Sequence, residues 1–600
     1  MNDEATAPSQ PAGPYEGFGG TVGRTFAGSQ SWWPERPTPG PDAPNVVVVL
    51  VDDLGFADLG CYGSEIATPN IDRLAADGVQ FTNFHVTPMC SPTRAALLTG
   101  VNPHRAGTGH VANSDPGFPG YAAELADDVA TAAEVFRGAG YHTMAIGKWH
   151  LTKDSDLSDA GPRHSWPCQW GFDRYYGVLD AFTNLHHPHR LVEDNHTLEL
   201  DQYPDGYYVT DDLTDRAIGF IHQAKASNPN QPFFCWFAHV AVHAPLQCKA
   251  SDLANHTGRY DLGWDALRQA RHERQVALEL LPPGTVLPPR NAEEGDDVEP
   301  WDDLDPADQA LYARYMEVYA AMVDSVDQSV GRLHAALDEL GQAENTIFVF
   351  LSDNGASREG EAAGTTSYLR SLVSKNVTDI EDHQFDLDRI DLAGGPQALV
   401  HYPRGWAMAS NTPFRLYKIN THMGGHSVPF ILHWPRGLGA TGRSTAGRDD
   451  AGPQDPDRRD QWAHATDLLP TLCELAGVTR PLTRHGVALQ PVDGTSLGPV
   501  LADRDAGHDR GPQLLEMAGH RGYYDGDWEL VTRHQPLTPF GDHEWELYDV
   551  ANDRTETQDL AAEHPDRVAA MAAGWEAAAQ AGQVYPLDEG SRLRFCPPYG

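Results

Sequence analysis

Five short polar clusters, four of them directly after an apolar run, carry the groups in this sequence that could do chemistry. Asp52-Asp53 follows the run 45–51, Asn-Val-Val-Val-Val-Leu-Val. Adjacent carboxylates at the end of a buried strand repel each other and lose hydration, so a hard divalent cation is their natural partner. Lys148 and His150 stand in Gly147-Lys148-Trp149-His150 after the run 141–146, and His239 and His243 lie past the run 232–238. Asp353 and Asn354 sit in Ser352-Asp353-Asn354-Gly355 after the run 346–351. The fifth cluster is Cys90-Ser91-Pro92-Thr93-Arg94, which opens a small-residue, leucine-rich stretch ending at Gly100. Pro92 suits the first turn of a helix and Gly100 its stop, which puts residue 90 at a helix N-terminus that favours an anion. Each cluster alone has a plain structural explanation: a solvated turn, a satisfied histidine, a buried thiol. Their repetition at the carboxyl ends of strands, where open α/β sheets bind ligands, points to one site.

The elements that must position these groups are legible as runs and caps. Continuous β-branched runs predict parallel strands buried on both faces. A helix is expected over 69–77, with Thr68 as its N-cap, Pro69 in its first turn and Gly78 beyond its end. A short strand over 79–84 then leads to Cys90, and a second helix over 129–137 closes at Gly138. The stretch 250–310 is polar and proline-rich and reads as an insertion over the sheet. A long amphipathic helix, about 305–340, places its Met and Tyr residues in the core. Asn411 to Lys418 precedes Gly424-Gly425 and a strand over 428–433, residues 440–460 form a charged excursion, and 464–475 is a helix. From about 510, short antiparallel strands (523–531 and 545–548) and a helix (564–580) replace this pattern. The fold class expected is therefore α/β, a large, mainly parallel sheet sandwiched by helices, with a smaller C-terminal α+β domain. The divisions are 1–44, an irregular arm; 45–505, the catalytic domain; and 506–600, the C-terminal subdomain.

Composition narrows the partners. The 600 residues include 43 basic and 85 acidic side chains, a net charge of −42, which disfavours nucleic acid and anionic membrane. Only six lysines occur, and two of them are Lys148 and Lys418. An anionic substrate must then meet a local basic pocket inside an acidic body. No apolar run is long enough to span a membrane, and the acidic start Met1-Asn2-Asp3-Glu4 has no hydrophobic stretch of a signal peptide. Seven cysteines without metal-ligand spacing fit free thiols in a reducing, cytoplasmic compartment.

Taken together, these blocks resemble the type I sulfatases, members of the alkaline phosphatase superfamily. Val51-Asp52-Asp53-Leu54-Gly55, Thr68 to Ala75, the Cys90 element, Gly147 to His150, Ser352 to Gly355 and Glu546-Leu547-Tyr548-Asp549 occur in the order that family has them. The segment 412–434 and the Trp32-Trp33-Pro34 arm are most similar to the arylsulfatase branch. The resemblance implies that a formylglycine-generating enzyme oxidises Cys90 to formylglycine, whose hydrate is the nucleophile. It implies one calcium ion held by Asp52, Asp53, Asp353, Asn354 and residue 90. It also implies that Arg94 and Lys148 hold the nucleophile and the sulfate, that His150 deprotonates the second hydroxyl of the hydrate, and that His243 and Lys418 flank the leaving-group oxygen. The substrate class implied is a small aryl or alkyl sulfate monoester. Met423-Gly424-Gly425 stands where many relatives have Glu-Gly-Gly, which puts the polarity of the substrate side in question. Two other functions fit the same residues: a phosphonate monoester or phosphodiester hydrolase of the superfamily, and a binding protein whose cysteine is never modified.

Overall fold

A computed structural model describes residues 15–35, 37–368, 379–438 and 457–590. The expected excursion at 440–460 lies largely outside them. Seven strands make the body of the main sheet: β1 (Asn45–Val51), β2 (Val79–His85), β3 (His142–Lys148), β4 (Arg174–Val178), β5 (Phe233–Ala238), β6 (Thr346–Ser352) and β7 (Ser427–His433). Their spatial order is β2-β7-β6-β1-β5-β3-β4, with short strands added beyond each edge. β1 pairs in parallel with β5 and β6, and β3 in parallel with β5 and β4, while β7 runs antiparallel to both β6 and β2.

All seven residues of β1 are buried, because the two faces of the strand serve two different cores. Val47, Val49 and Val51 belong to one, and Val46, Val48 and Leu50 to the other. The first core is closed by α1 (Pro69–Asp77), by α4 (Val209–Ser227) and by α6, a 34-residue helix (Pro306–Glu339). As expected, Met316, Tyr319 and Met322 of α6 are fully buried there. The second core is closed by α2 (Cys90–Thr99) and α3 (Ala132–Gly138).

Four local expectations are corrected. The Thr68 side chain does not cap α1; its hydroxyl donates to Asp72 Oδ1 at 2.9 Å. Asp327 of α6 caps the helix instead, accepting the Asn70 and Ile71 N–H groups at 2.9 Å each. α3 starts three residues later than expected, at a capping box between Thr131 and Glu134 that satisfies two N-terminal donors. The stretch 250–310 is not only loop, since it contains the 15-residue helix α5 (Gly263–Ala277). The run 523–531 is two strands broken by a turn with Gly526 at φ 64°.

Those two strands belong to a separate antiparallel sheet in meander order: β8 (Gln513–Met517), β9 (His520–Asp525), β10 (Trp528–Thr532) and β11 (Trp545–Asp549). α7 (Pro565–Ala581) packs on it through Met571, Trp575 and Ala579.

Candidate active site

The topology sends every candidate residue to one edge of the main sheet. β1, β3, β5 and β6 run in the same direction, so Asp52-Asp53, Lys148, His243 and Asp353-Asn354 emerge side by side. β2 is antiparallel to β7, which is itself antiparallel to β6, so β2 also ends at this edge and delivers α2 with Cys90 at its start. The reversed β7 begins at the same edge, and that brings in Lys418 from the segment before it. Backbone hydrogen bonds fix the joints: Asp353 N donates to Val51 O at 3.0 Å, Val242 N to Asp52 O at 2.8 Å, and Ile419 N to Pro88 O at 2.8 Å.

The side chains form a connected network. Lys148 Nζ donates to Asp52 Oδ2 at 2.6 Å. Arg94 donates through Nε and Nη2 to Asp353 Oδ2 (3.1 and 2.7 Å) and through Nη1 to the Lys148 carbonyl at 2.8 Å. Lys418 Nζ lies 3.0 Å from Asp53 Oδ1 and 2.9 Å from Glu359 Oε2. Cys90 Sγ is 3.2 Å from His150 Nδ1, and Ser91 Oγ donates to the His150 carbonyl at 2.7 Å. That second contact helps hold His150 in its left-handed backbone conformation, φ 54°. His150 Nε2 faces Asn113 Oδ1 at 3.3 Å. His243 Nε2 is 3.7 Å from Asp53 Oδ2, and its ring lies parallel to Phe182.

Burial and charge set the proton affinities. Burial pushes the Cys90 thiol up to about 11, although Lys148 and Lys418 pull against it. Burial, then Lys148 and Arg94, hold His150 well below the usual histidine range. Asp353 is raised by burial and by Asp52, against the pull of Arg94 and Lys148. Burial works against the charge on Lys418, yet Asp53 and Glu359 outweigh it and raise its affinity for the proton.

These residues fit a hard cation. Ligand atoms of Asp52, Cys90 and Asp353 lie within 4.8 Å of one another, and so do those of Asp52, Asp53 and His243. Two buried oxygens, Asp52 Oδ1 and Asn354 Oδ1, have no hydrogen-bond partner. Such orphans are costly unless something else satisfies them. Three fixed cations, Arg94, Lys148 and Lys418, meet four carboxylates, Asp52, Asp53, Asp353 and Glu359. That balance does not invite an anionic ester until a divalent ion reverses it.

A family model described as Sulfatase matches residues 44–478. The chain belongs to the sulfatase family. An uncharacterized sulfatase of Schizosaccharomyces pombe is 31% identical over 546 residues, 87% of this chain and 91% of its own. An arylsulfatase of Klebsiella aerogenes is 31% identical over 470 residues, 76% of this chain and 92% of its own. Among solved structures, that of Ps i-CgsB matches with a TM-score of 0.60 at 22% identity, covering 93% of this chain and 98% of that one. A structure in complex with its substrate D-glucosamine-2-N,6-O-disulfate matches with a TM-score of 0.56 at 20% identity, over 91% and 99%. These two share the fold of this sulfatase: the mixed, mostly parallel sheet with helices and the small C-terminal antiparallel sheet.

The structure brings the ten candidate residues, Asp52, Asp53, Cys90, Arg94, Lys148, His150, His243, Asp353, Asn354 and Lys418, into one buried cluster. His239, noted after β5 but given no role, lies outside it; it is fully buried against Phe237 and 3.5 Å from Ser329 Oγ. Met423 is also fully buried, its sulfur accepting from Ser427 Oγ at 3.3 Å, so it packs in the interior. Sequence reasoning missed Glu359, Asn113 and Ser91. Ser91 was inside a recognised motif, but Glu359 and Asn113 sit in loops with no apolar run to flag them.

Proposed function

We propose that this chain hydrolyses aryl or alkyl sulfate monoesters to an alcohol and inorganic sulfate, with residue 90 as the nucleophile. The observation that carries this reading is Cys90 at the start of α2, with Sγ against His150 Nδ1 and beside Asp52 and Asp353. A thiol with a pKa near 11 stays protonated at neutral pH, and the protonated form is a poor nucleophile. This supports conversion of Cys90 by a formylglycine-generating enzyme to formylglycine, whose hydrate supplies a hydroxyl in its place. A calcium ion, which Asp52, Asp53, Asp353, Asn354 and residue 90 would hold, supplies fixed positive charge against the sulfate oxygens.

The remaining work falls to the chain's own side chains. Asn113 Oδ1 accepts from His150 Nε2, which leaves Nδ1 as the basic nitrogen facing residue 90. His150 therefore takes the proton of the second hydroxyl. Asp353, whose Oδ2 is already held by Arg94, takes the first. Arg94 and Lys148 orient the nucleophile and the sulfate, and their charges oppose the negative charge that builds as sulfur is attacked. His243 and Lys418 flank Asp53 on the side where the leaving-group oxygen departs.

The divisions 1–44, 45–505 and 506–600 are proposed as the domain limits, which the separate C-terminal sheet supports. The six described cysteines are free, which supports a reducing, cytoplasmic compartment. No helix among the described residues is long and apolar enough to cross a membrane.

Two measurements test the reading. The tryptic peptide Leu74–Arg94 from native-host protein is weighed, and the expected result is the mass loss of thiol-to-aldehyde conversion at its one cysteine. The same preparation is assayed on aryl sulfate and aryl phosphonate esters, with faster turnover expected on the sulfate. Unmodified cysteine throughout would leave only a binding protein, and faster phosphonate cleavage would make the chain a phosphonate hydrolase.

A further inference from the structure

We infer that Glu359 is a positioning residue for the leaving-group side of the reaction, acting through Lys418; this rests on the sulfatase reading above. The Lys418 ammonium has three N–H donors. Asp53 shares one, with its Oδ1 and Oδ2 at 3.0 and 3.2 Å, and Glu359 Oε2 takes another at 2.9 Å. The third is the one left for a departing oxygen. Two anchors fix a flexible four-carbon chain where one would leave it free to rotate. Asp53 is also a cation ligand in this reading, so its oxygens are shared, and Glu359 is the anchor that serves Lys418 alone among the fixed cations.

Glu359 is itself held. Ser357 Oγ donates to Oε2 at 2.9 Å and accepts from the Glu359 N–H at 3.2 Å. Ser357 Oγ also meets His401 Nε2 at 3.3 Å, and His401 Nδ1 donates to the Tyr402 carbonyl at 3.0 Å. The loop carrying these groups starts at Asp353-Asn354. It is stitched to the Lys418 segment by Lys418 N donating to Ala356 O at 3.1 Å. The carboxylate is thus braced from its own loop. It keeps a quarter of its side-chain surface accessible.

A group that only places the leaving-group donor has a distinctive kinetic trace. Its loss should cost most where the leaving oxygen most needs stabilising. The test compares wild type, Glu359→Gln and Ser357→Ala on a series of substituted phenyl sulfates. Aldehyde content at residue 90 is matched by peptide mass, and folding is checked by thermal melting. For Glu359→Gln, kcat/KM is expected to fall roughly 10–100-fold for phenyl sulfate but less than about threefold for 4-nitrophenyl sulfate. The plot of log kcat/KM against leaving-group pKa then steepens. Ser357→Ala, which keeps the charge but loosens it, should steepen the plot by a smaller amount. Parallel lines for wild type and both variants, whatever their height, would overturn the inference and leave Glu359 a structural residue. Failure of the wild type to turn over any sulfate would overturn the sulfatase reading itself, and this inference with it.

Discussion

Lys148 and Arg94 are fixed in the interior by carboxylates that would otherwise face each other, so under the proposed reaction each would do two jobs at once. Lys148→Ala removes the 2.6 Å contact to Asp52 and leaves a buried charge behind. The expected loss is about 3–5 kcal/mol of stability, read from the urea midpoint, together with about 10²–10³-fold in kcat. His150→Asn separates the two effects. It removes the basic nitrogen facing residue 90 while leaving the carboxylate network alone, so kcat should fall about 10²–10⁴-fold with the melting temperature nearly unchanged. A cation chelator should act in the opposite sense, exposing the carboxylates to one another without touching the chain. A lower melting temperature that recovers on adding calcium is the expected result, by about 2.7 kcal/mol at a hundredfold excess over Kd.

At the scale of elements, two long-range contacts do what local sequence does not. Asp327 caps α1 from another helix, so Asp327→Ala should cost about 1–2 kcal/mol in denaturant unfolding and leave kcat unchanged. Arg271 of α5 is fully buried. It donates to Asp58 Oδ1 at 2.7 Å and to both Glu65 oxygens, while Tyr319 donates to Asp58 Oδ2 at 2.7 Å. Asp58 also anchors Gly55 N, so this brace holds the turn that follows Asp52-Asp53. These contacts explain which elements were legible. The parallel strands were, because burial on both faces writes an unbroken β-branched run such as Val46–Val49. α5 was not, because after Trp264 its inward face is Arg268, Arg271 and Gln275 rather than aliphatic, and it reads as surface. Thr68 matched the usual cap signal, but a remote carboxylate out-competed it. The candidate cluster was legible where a strand end announced it, Lys418 came only through the family resemblance, and Glu359 was hidden because no apolar run directly precedes it.

For the molecule as a whole, the seam between the two sheets joins apolar packing, through Val531, Tyr548 and Val550, to a set of ion pairs. Glu546 of β11 meets His422 at 3.2 Å and Arg415 at 3.6 Å, and Arg415 is held from its own side by Glu293. Burial would raise both carboxyls, but the neighbouring cations outweigh it: Glu546, with His422 foremost, lies at about 2 against an ordinary 4.5, and Glu293, beside Arg415, is lowered too. The folded state therefore binds fewer protons. Stability from these groups is present above pH 4.5 and is lost as pH falls toward 2. Glu546→Gln should flatten the acid limb of a plot of unfolding free energy against pH by about 1–2 kcal/mol, its partial exposure included.

The position of β1 has a further consequence, for biosynthesis. Its neighbours on either side are β5 and β6, so the central strand waits for residues 233–238 and 346–352 to be made. At about 5–20 residues per second, the interval between translation of Cys90 and of β6 is on the order of tens of seconds. Every residue of α2 is buried in the finished protein. If Cys90 is converted to formylglycine as proposed, the converting enzyme would have to reach it before the sheet closes, and mutations that speed closure would then lower the aldehyde yield without touching the motif.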